Sequence, residues 1–175
     1  FANPAPATLA AAGTVSASIS FTQSSTAVTG TGTTGALNDT NADNNTATFS
    51  VSGTTADISA SFAGFPANAP VGSTVNGTVN FVNVSGALAS TPSFSLQLAP
   101  GLSGVTINSA VLGVGTYTTA TGVVSFANPA PATLAAAGTV SASISFTQTS
   151  TGVTGTGTTG ALNDTNPDNN TATFS

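Results

Sequence analysis

Apolar residues and small hydroxyl or amide residues take turns along most of this chain. Val140, Ala142, Ile144 and Phe146 alternate with Ser141, Ser143 and Ser145, a period of two that predicts a strand with one face in a core. The pattern recurs through Ile58, Ala60 and Phe62, through Val75, Gly77, Val79 and Phe81, and through Phe94, Leu96 and Leu98. Val105 with Ile107, then Ala47, Phe49 and Val51, continue it. Turn-forming clusters lie between these runs: Phe65-Pro66-Ala67-Asn68-Ala69-Pro70, Ala99-Pro100-Gly101 and Asn128-Pro129-Ala130-Pro131. Thr119-Ala120-Thr121-Gly122 predicts a hairpin loop joining strands around Tyr117 and Val123. A faint helical period over Ala130–Ala137 is outweighed by Pro129 and Pro131 at its start and Gly138 after it, so a loop is expected there. Seven to nine short strands are therefore expected from about Ala56 to Ser175. Strands that are polar on one side only pack most economically as an antiparallel β-sandwich.

The pattern repeats on a larger scale. Phe1–Ser50 recurs as Phe126–Ser175, an offset of 125 residues, and only Ser24/Thr149, Ala27/Gly152 and Ala42/Pro167 differ. A period of 125 is too long for one coil of a solenoid and suits a whole β-sandwich, so tandem beads of 125 residues are expected. Residues 56–175 would make one complete or nearly complete unit, 53–55 a linker, and 1–52 the C-terminal part of another. That part carries only the last three or so strands and cannot close a two-sheet core by itself. Its completion is expected from elsewhere: an upstream part of a longer chain, or strands added by a neighbouring copy.

Composition narrows the chemistry. Lys, Arg, His, Glu, Cys, Met and Trp are absent, and the five aspartates are the only charged side chains. With no cation to neutralise phosphate, nucleic acids and anionic membrane surfaces lose their usual attraction, and no apolar run of about 18 residues is present to insert into a bilayer. Disulfides, thiolate metal sites and lysine-based cross-links are ruled out. Ser and Thr abound, but a nucleophile needs a base, and no His, Lys or Glu can serve, so no catalytic residue and no enzyme activity are expected. Gly30-Thr31-Gly32 has neither the lysine nor the following helix of a phosphate-binding loop.

Five motifs then occur in order. Ala56-Asp57-Ile58 opens the unit; Leu98-Ala99-Pro100-Gly101-Leu102 lies in its middle, followed by Gly115-Thr116-Tyr117 and Thr121-Gly122-Val123. Asp164-Thr165-Asn166-Pro167-Asp168-Asn169-Asn170 precedes the final strand. This order resembles the immunoglobulin-like surface repeat known as domain of unknown function eleven, over nearly all of 56–175 and, for its second half, over 1–50. The mid-domain turn departs from the family's form, with Ala99 before Pro100 and Gly101 directly after it, and the basic residues are lost entirely. The resemblance implies an immunoglobulin-like sandwich in a large prokaryotic surface protein. The expected function is a structural segment of an extracellular, cell-surface fibre whose partners are copies of itself, end to end and side by side; the alternative is an adhesin module binding a surface or glycan.

One candidate site remains. Asp164, Asn166 and Asp168 stand at positions one, three and five of a loop, and Asp39, Asn41 and Asp43 repeat them. Calcium suits such oxygen ligands, although the glycine at position six and the acidic residue at twelve of a complete calcium loop are replaced by Asn169 and Ser175. The same residues also favour turns without any metal. In an immunoglobulin-like sandwich this loop lies where the first strand enters, so Asp57 is expected beside it, and calcium there would stiffen a joint between repeats. Sequons at Asn38, Asn44, Asn76, Asn83, Asn163 and Asn169, and hydroxyls from Thr29 to Thr34, are candidate sugar acceptors. No other cofactor is implied.

Overall fold

The computed structural model describes residues 8–22, 27–149 and 152–175; residues 1–7, 23–26 and 150–151 of the two expected units lie outside them. The strands, in chain order, are β1 (Val28–Thr33), β2 (Thr46–Val51), β3 (Ile58–Ala63), β4 (Thr74–Asn83), β5 (Ala89–Ser90), β6 (Ser93–Leu98), β7 (Thr106–Ser109), β8 (Gly113–Tyr117), β9 (Val123–Phe126), β10 (Thr133–Leu134), β11 (Thr139–Thr147), β12 (Gly155–Gly160) and β13 (Thr171–Phe174). Helix among the described residues is confined to two single 3-10 turns, Ala42–Asn44 and Pro167–Asn169. The fold is all-β and every strand pairing is antiparallel. Ala130–Ala137 holds no helix; its loop is broken only by the two-residue β10.

Nine strands form one hydrogen-bonded sheet in the order β13-β12-β6-β9-β8-β7-β11-β4-β3. Two separate sheets were the simplest expectation, and the difference has a local cause. The short strands β7, β8 and β9 make a meander, with Gly113 at φ 75° opening β8 after its first turn and Gly122 at φ 76° in its second, and this meander carries hydrogen bonding from one layer to the other. The sheet folds over so that β3, β4, β11 and β7 face β9, β6, β12 and β13. The ends meet where β3 packs against β12 and β13, and a parallel bridge from Ala56 to Asp164 joins them.

Inward positions are those that the alternation marks. Ile58, Val79, Phe81, Leu96, Leu98, Ile107, Val140, Ala142, Ile144 and Phe146 are buried together. Phe62, Phe65, Phe146 and Phe174 close one end of this core, with Phe65 and Phe174 stacked at 4.0 Å and Phe62 edge-on to Phe174 at 5.0 Å. The inner face of β12 is built differently, from Gly155, Gly157 and Thr159. A Cβ at Gly157 would lie 2.8 Å from Val79 Cγ2, so hydrogen there makes room for side chains of the facing layer.

The other, polar end is fixed by two buried asparagines. Asn83, fully buried at the end of β4, donates through Nδ2 to the carbonyls of Ala87 (2.7 Å), Leu134 (3.0 Å) and Ala135 (3.0 Å), while its Oδ1 accepts from Ser85 Oγ at 2.8 Å. Asn163 donates to the carbonyls of Thr54 (3.1 Å) and Leu88 (3.0 Å) and accepts from the Ser90 N–H at 2.8 Å. Each ties loop backbone to the short β5–β10 ladder, which satisfies backbone groups that would otherwise be buried bare.

Candidate functional site

The loop between β12 and β13 folds against the start of β3. Ala56 N–H donates to Asn163 O at 2.8 Å and Thr165 N–H donates to Ala56 O at 3.1 Å, so the entering chain is held as a short extra strand. Next to it the Asp57 carboxylate accepts from both sides: Asn169 Nδ2 at 2.7 Å and Asn166 Nδ2 at 3.3 Å. Asp164 Oδ1 accepts from the backbone N–H of Asn166 at 3.1 Å, the ordinary Asx turn that opens such a loop. Asp57 therefore does lie beside the loop that carries Asp164, Asn166 and Asp168, at one end of the sandwich.

What they form is a clasp of amides around a carboxylate. No group of three or more carboxylate, histidine or cysteine side chains suited to a metal occurs among the described residues. Asp168 is exposed on its 3-10 turn. Asp164 Oδ2, Asn169 Oδ1 and Asn170 Oδ1 are buried without a hydrogen-bond partner, so oxygen atoms remain available beside the clasp. Melting the protein in calcium and in chelator decides between the two. A bound ion raises the midpoint, and an unchanged midpoint leaves the clasp purely hydrogen-bonded.

The duplicate trio stands in the open. Asp39, Asn41 and Asp43 are exposed in the loop between β1 and β2, where Asn41 N–H donates to Asp39 Oδ1 at 3.0 Å. That bond first, and the Asn45 side chain second, hold the Asp39 carboxyl below its ordinary value. The folded value is the depressed one, so this turn is supported above the ordinary carboxylate range and loses that support as pH falls through the lowered value.

Sugar acceptors are sorted by burial. Asn83 and Asn163 are buried with their amides engaged, and Asn169 is half-buried on Asp57, so these three sequons are closed to modification in the folded chain. Asn38, Asn44 and Asn76 are exposed.

Tyr117 is the chain's one amphipathic aromatic and the natural suspect for a ligand platform. Its hydroxyl is already used: it donates to Ala99 O at 2.6 Å and accepts from the Leu102 N–H at 3.0 Å. It thereby clamps the Ala99-Pro100-Gly101-Leu102 turn, a role that sequence reading missed and that only its distance in space from this turn could reveal. Tyr117→Phe is expected to cost about 1–2 kcal/mol in urea unfolding, since the turn then loses one donor and one acceptor. A shallow cavity of about 240 Å³ lies at the opposite end of the sandwich from the clasp, where Phe65, Phe146 and Phe174 share its lining with polar residues such as Asn68 and Gln148.

The fold and site together define an antiparallel all-β sandwich with a polar clasp at one end and an aromatic cluster at the other. No family model, no curated protein and no solved structure matches this chain.

Proposed function

We propose that this chain is a structural, non-catalytic segment of an extracellular prokaryotic fibre assembled from tandem 125-residue sandwiches, of the immunoglobulin-like surface-repeat kind. The observation that carries this is where the chain enters and leaves. It enters at the Ala56–Asp57 clasp, and it leaves at Phe174, whose ring stacks on Phe65 beyond the far end of β3. Entry and exit at opposite ends let successive units follow one another in a line. A unit whose ends lay together would instead hang from its neighbours.

The spatial order supports the immunoglobulin-like assignment. β3-β4-β11-β7 facing β6-β12-β13 follows the four-and-three strand order of an immunoglobulin constant-type sandwich, and β9 is an extra strand beside β6. The middle of the path differs: after β6 the chain visits β7 beside β11 before β8 and β9 return it to β6.

The ten residues of β4 span about 33 Å at the usual rise per residue, so with its end loops each unit adds on the order of 40 Å to a fibre. Electron microscopy of native material is expected to show that axial spacing; isolated globular particles would overturn the proposal. An adhesin module is the lesser reading, because the one tyrosine is occupied within the fold.

A further inference from the structure

The molecule holds one sequence in two environments. Residues 14–22 and 139–147 both read Thr-Val-Ser-Ala-Ser-Ile-Ser-Phe-Thr. In the second they are β11, central in the sheet between β4 and β7, with Ile144 only 2% exposed. In the first they pair with nothing as strand, and Ile19 is 68% exposed. Leu9, Val15 and Phe21 are exposed with it, whereas their duplicates Leu134, Val140 and Phe146 are buried.

The open copy is nonetheless set in the geometry of the closed one. β1 and β2 pair Gly30 with Phe49, the register in which β12 and β13 pair Gly155 with Phe174. Phe21 stacks on Phe49 at 6.3 Å and 19°, as Phe146 does on Phe174 at 6.3 Å and 18°. Gly13 N–H donates to Ala10 O at 2.8 Å, and Gly138 N–H to Ala135 O at 2.9 Å. The β1–β2 pairing, the Phe21–Phe49 contact and the Gly13 turn are thus already set before a partner arrives.

We propose that residues 8–22 and 27–51 form an open half-sandwich that docks a second copy of the segment 53–125, the part of the chain that carries β3 to β9. The closed copy shows what such an occupant supplies. β4 and β7 flank β11, and β6 flanks β12. The polar groups make the fit specific. Asn163 bonds only to that segment, at Thr54, Leu88 and Ser90; its duplicate Asn38 is exposed. Asn166 and Asn169 bond to Asp57, and their duplicates Asn41 and Asn44 are exposed. The carbonyls of Leu134 and Ala135 take Asn83. A lipid surface, or a second open half, would cover Leu9, Val15, Ile19 and Phe21 but would match none of these groups. The occupant must be a copy of 53–125 that is not already closed by its own residues 126–175. The inference stands on the duplicated sequence and holds whether or not the units build a fibre.

The test refolds the full chain with an equimolar, separately made 53–125 polypeptide and follows native mass and hydrogen exchange. The peptide spanning the shared nine residues arises from both copies, so in the free chain it gives two equal mass envelopes, one fast and one slow. In the complex a 1:1 mass is expected, and the fast envelope slows by about 100-fold or more to join the slow one. Ile19→Asp abolishes the complex and leaves the melting midpoint of the chain unchanged, and Asn38→Ala weakens it about tenfold. A second protein, with 53–125 fused ahead of residue 1, reproduces the Ser125–Phe126 junction and answers the same question where the loose segment precipitates. A persistent fast envelope in both, binding that survives Ile19→Asp, or protection of residues 14–22 by dimerisation of the full chain alone would overturn the proposal.

Discussion

Ile144→Ala is expected to destabilise the protein by about 2–5 kcal/mol in urea unfolding, while Ile19→Ala shifts it by no more than about 0.5 kcal/mol. The two isoleucines have the same four neighbours on either side in sequence. At 144 the side chain lies between the two layers, its strand paired on both sides, so truncation leaves a cavity that the closely packed surroundings fill only in part. At 19 the side chain already meets solvent. Any helix or strand propensity is equal at the two sites, which makes the difference a direct measure of tertiary context. Similar losses at both positions would show that residues 14–22 are packed in the isolated chain.

The second large effect is expected at Asn83. Asn83→Ala removes a buried amide that serves three carbonyls and a serine, and at least one of those groups then stays dry and unpaired. A loss of about 3 kcal/mol is expected, with an unfolding midpoint shifted at constant slope. Asn76→Ala on the same strand faces solvent and is expected to change stability by less than about 0.5 kcal/mol, so the pair separates a structural asparagine from a decorative one. Equal, small effects would mean that water replaces the amide.

These two residues also mark how far the sequence could be read. β3, β4, β6 and β11 follow from alternation because large apolar residues fill most of their inner positions, whereas the β8–β9 hairpin follows from its Thr119–Gly122 turn, the inner positions of β8 being mostly glycine. β12 and β1 escaped notice because glycine takes most of their inner positions, and a Gly-Thr alternation carries no hydrophobic signal; the space is filled by rings from elsewhere, such as Phe174 against Gly155. Asn83 was legible in principle. Counting by twos along β4 from Val75 through Val79 and Phe81 lands on it, so its inward direction was set by period, and its place in a sequon drew the eye to the wrong chemistry. The clasp was half legible: Asp57 does meet the loop before β13, but amides surround it where carboxylates were expected to gather. Nor could alternation alone tell that residues 14–22 would lie unpaired. A strand pattern specifies which face is buried, and a partner must be present to bury it.

The opposed entry and exit points have a consequence under tension. β3 runs inward from the clasp and β13 runs outward past the aromatic cluster, both along the line joining the two ends. A pull on that line drags each strand lengthwise past its neighbour, so the hydrogen bonds of the β3–β4 and β12–β13 ladders are loaded in shear and must yield together. Peeling, in which bonds break one after another at low force, is not the geometry offered.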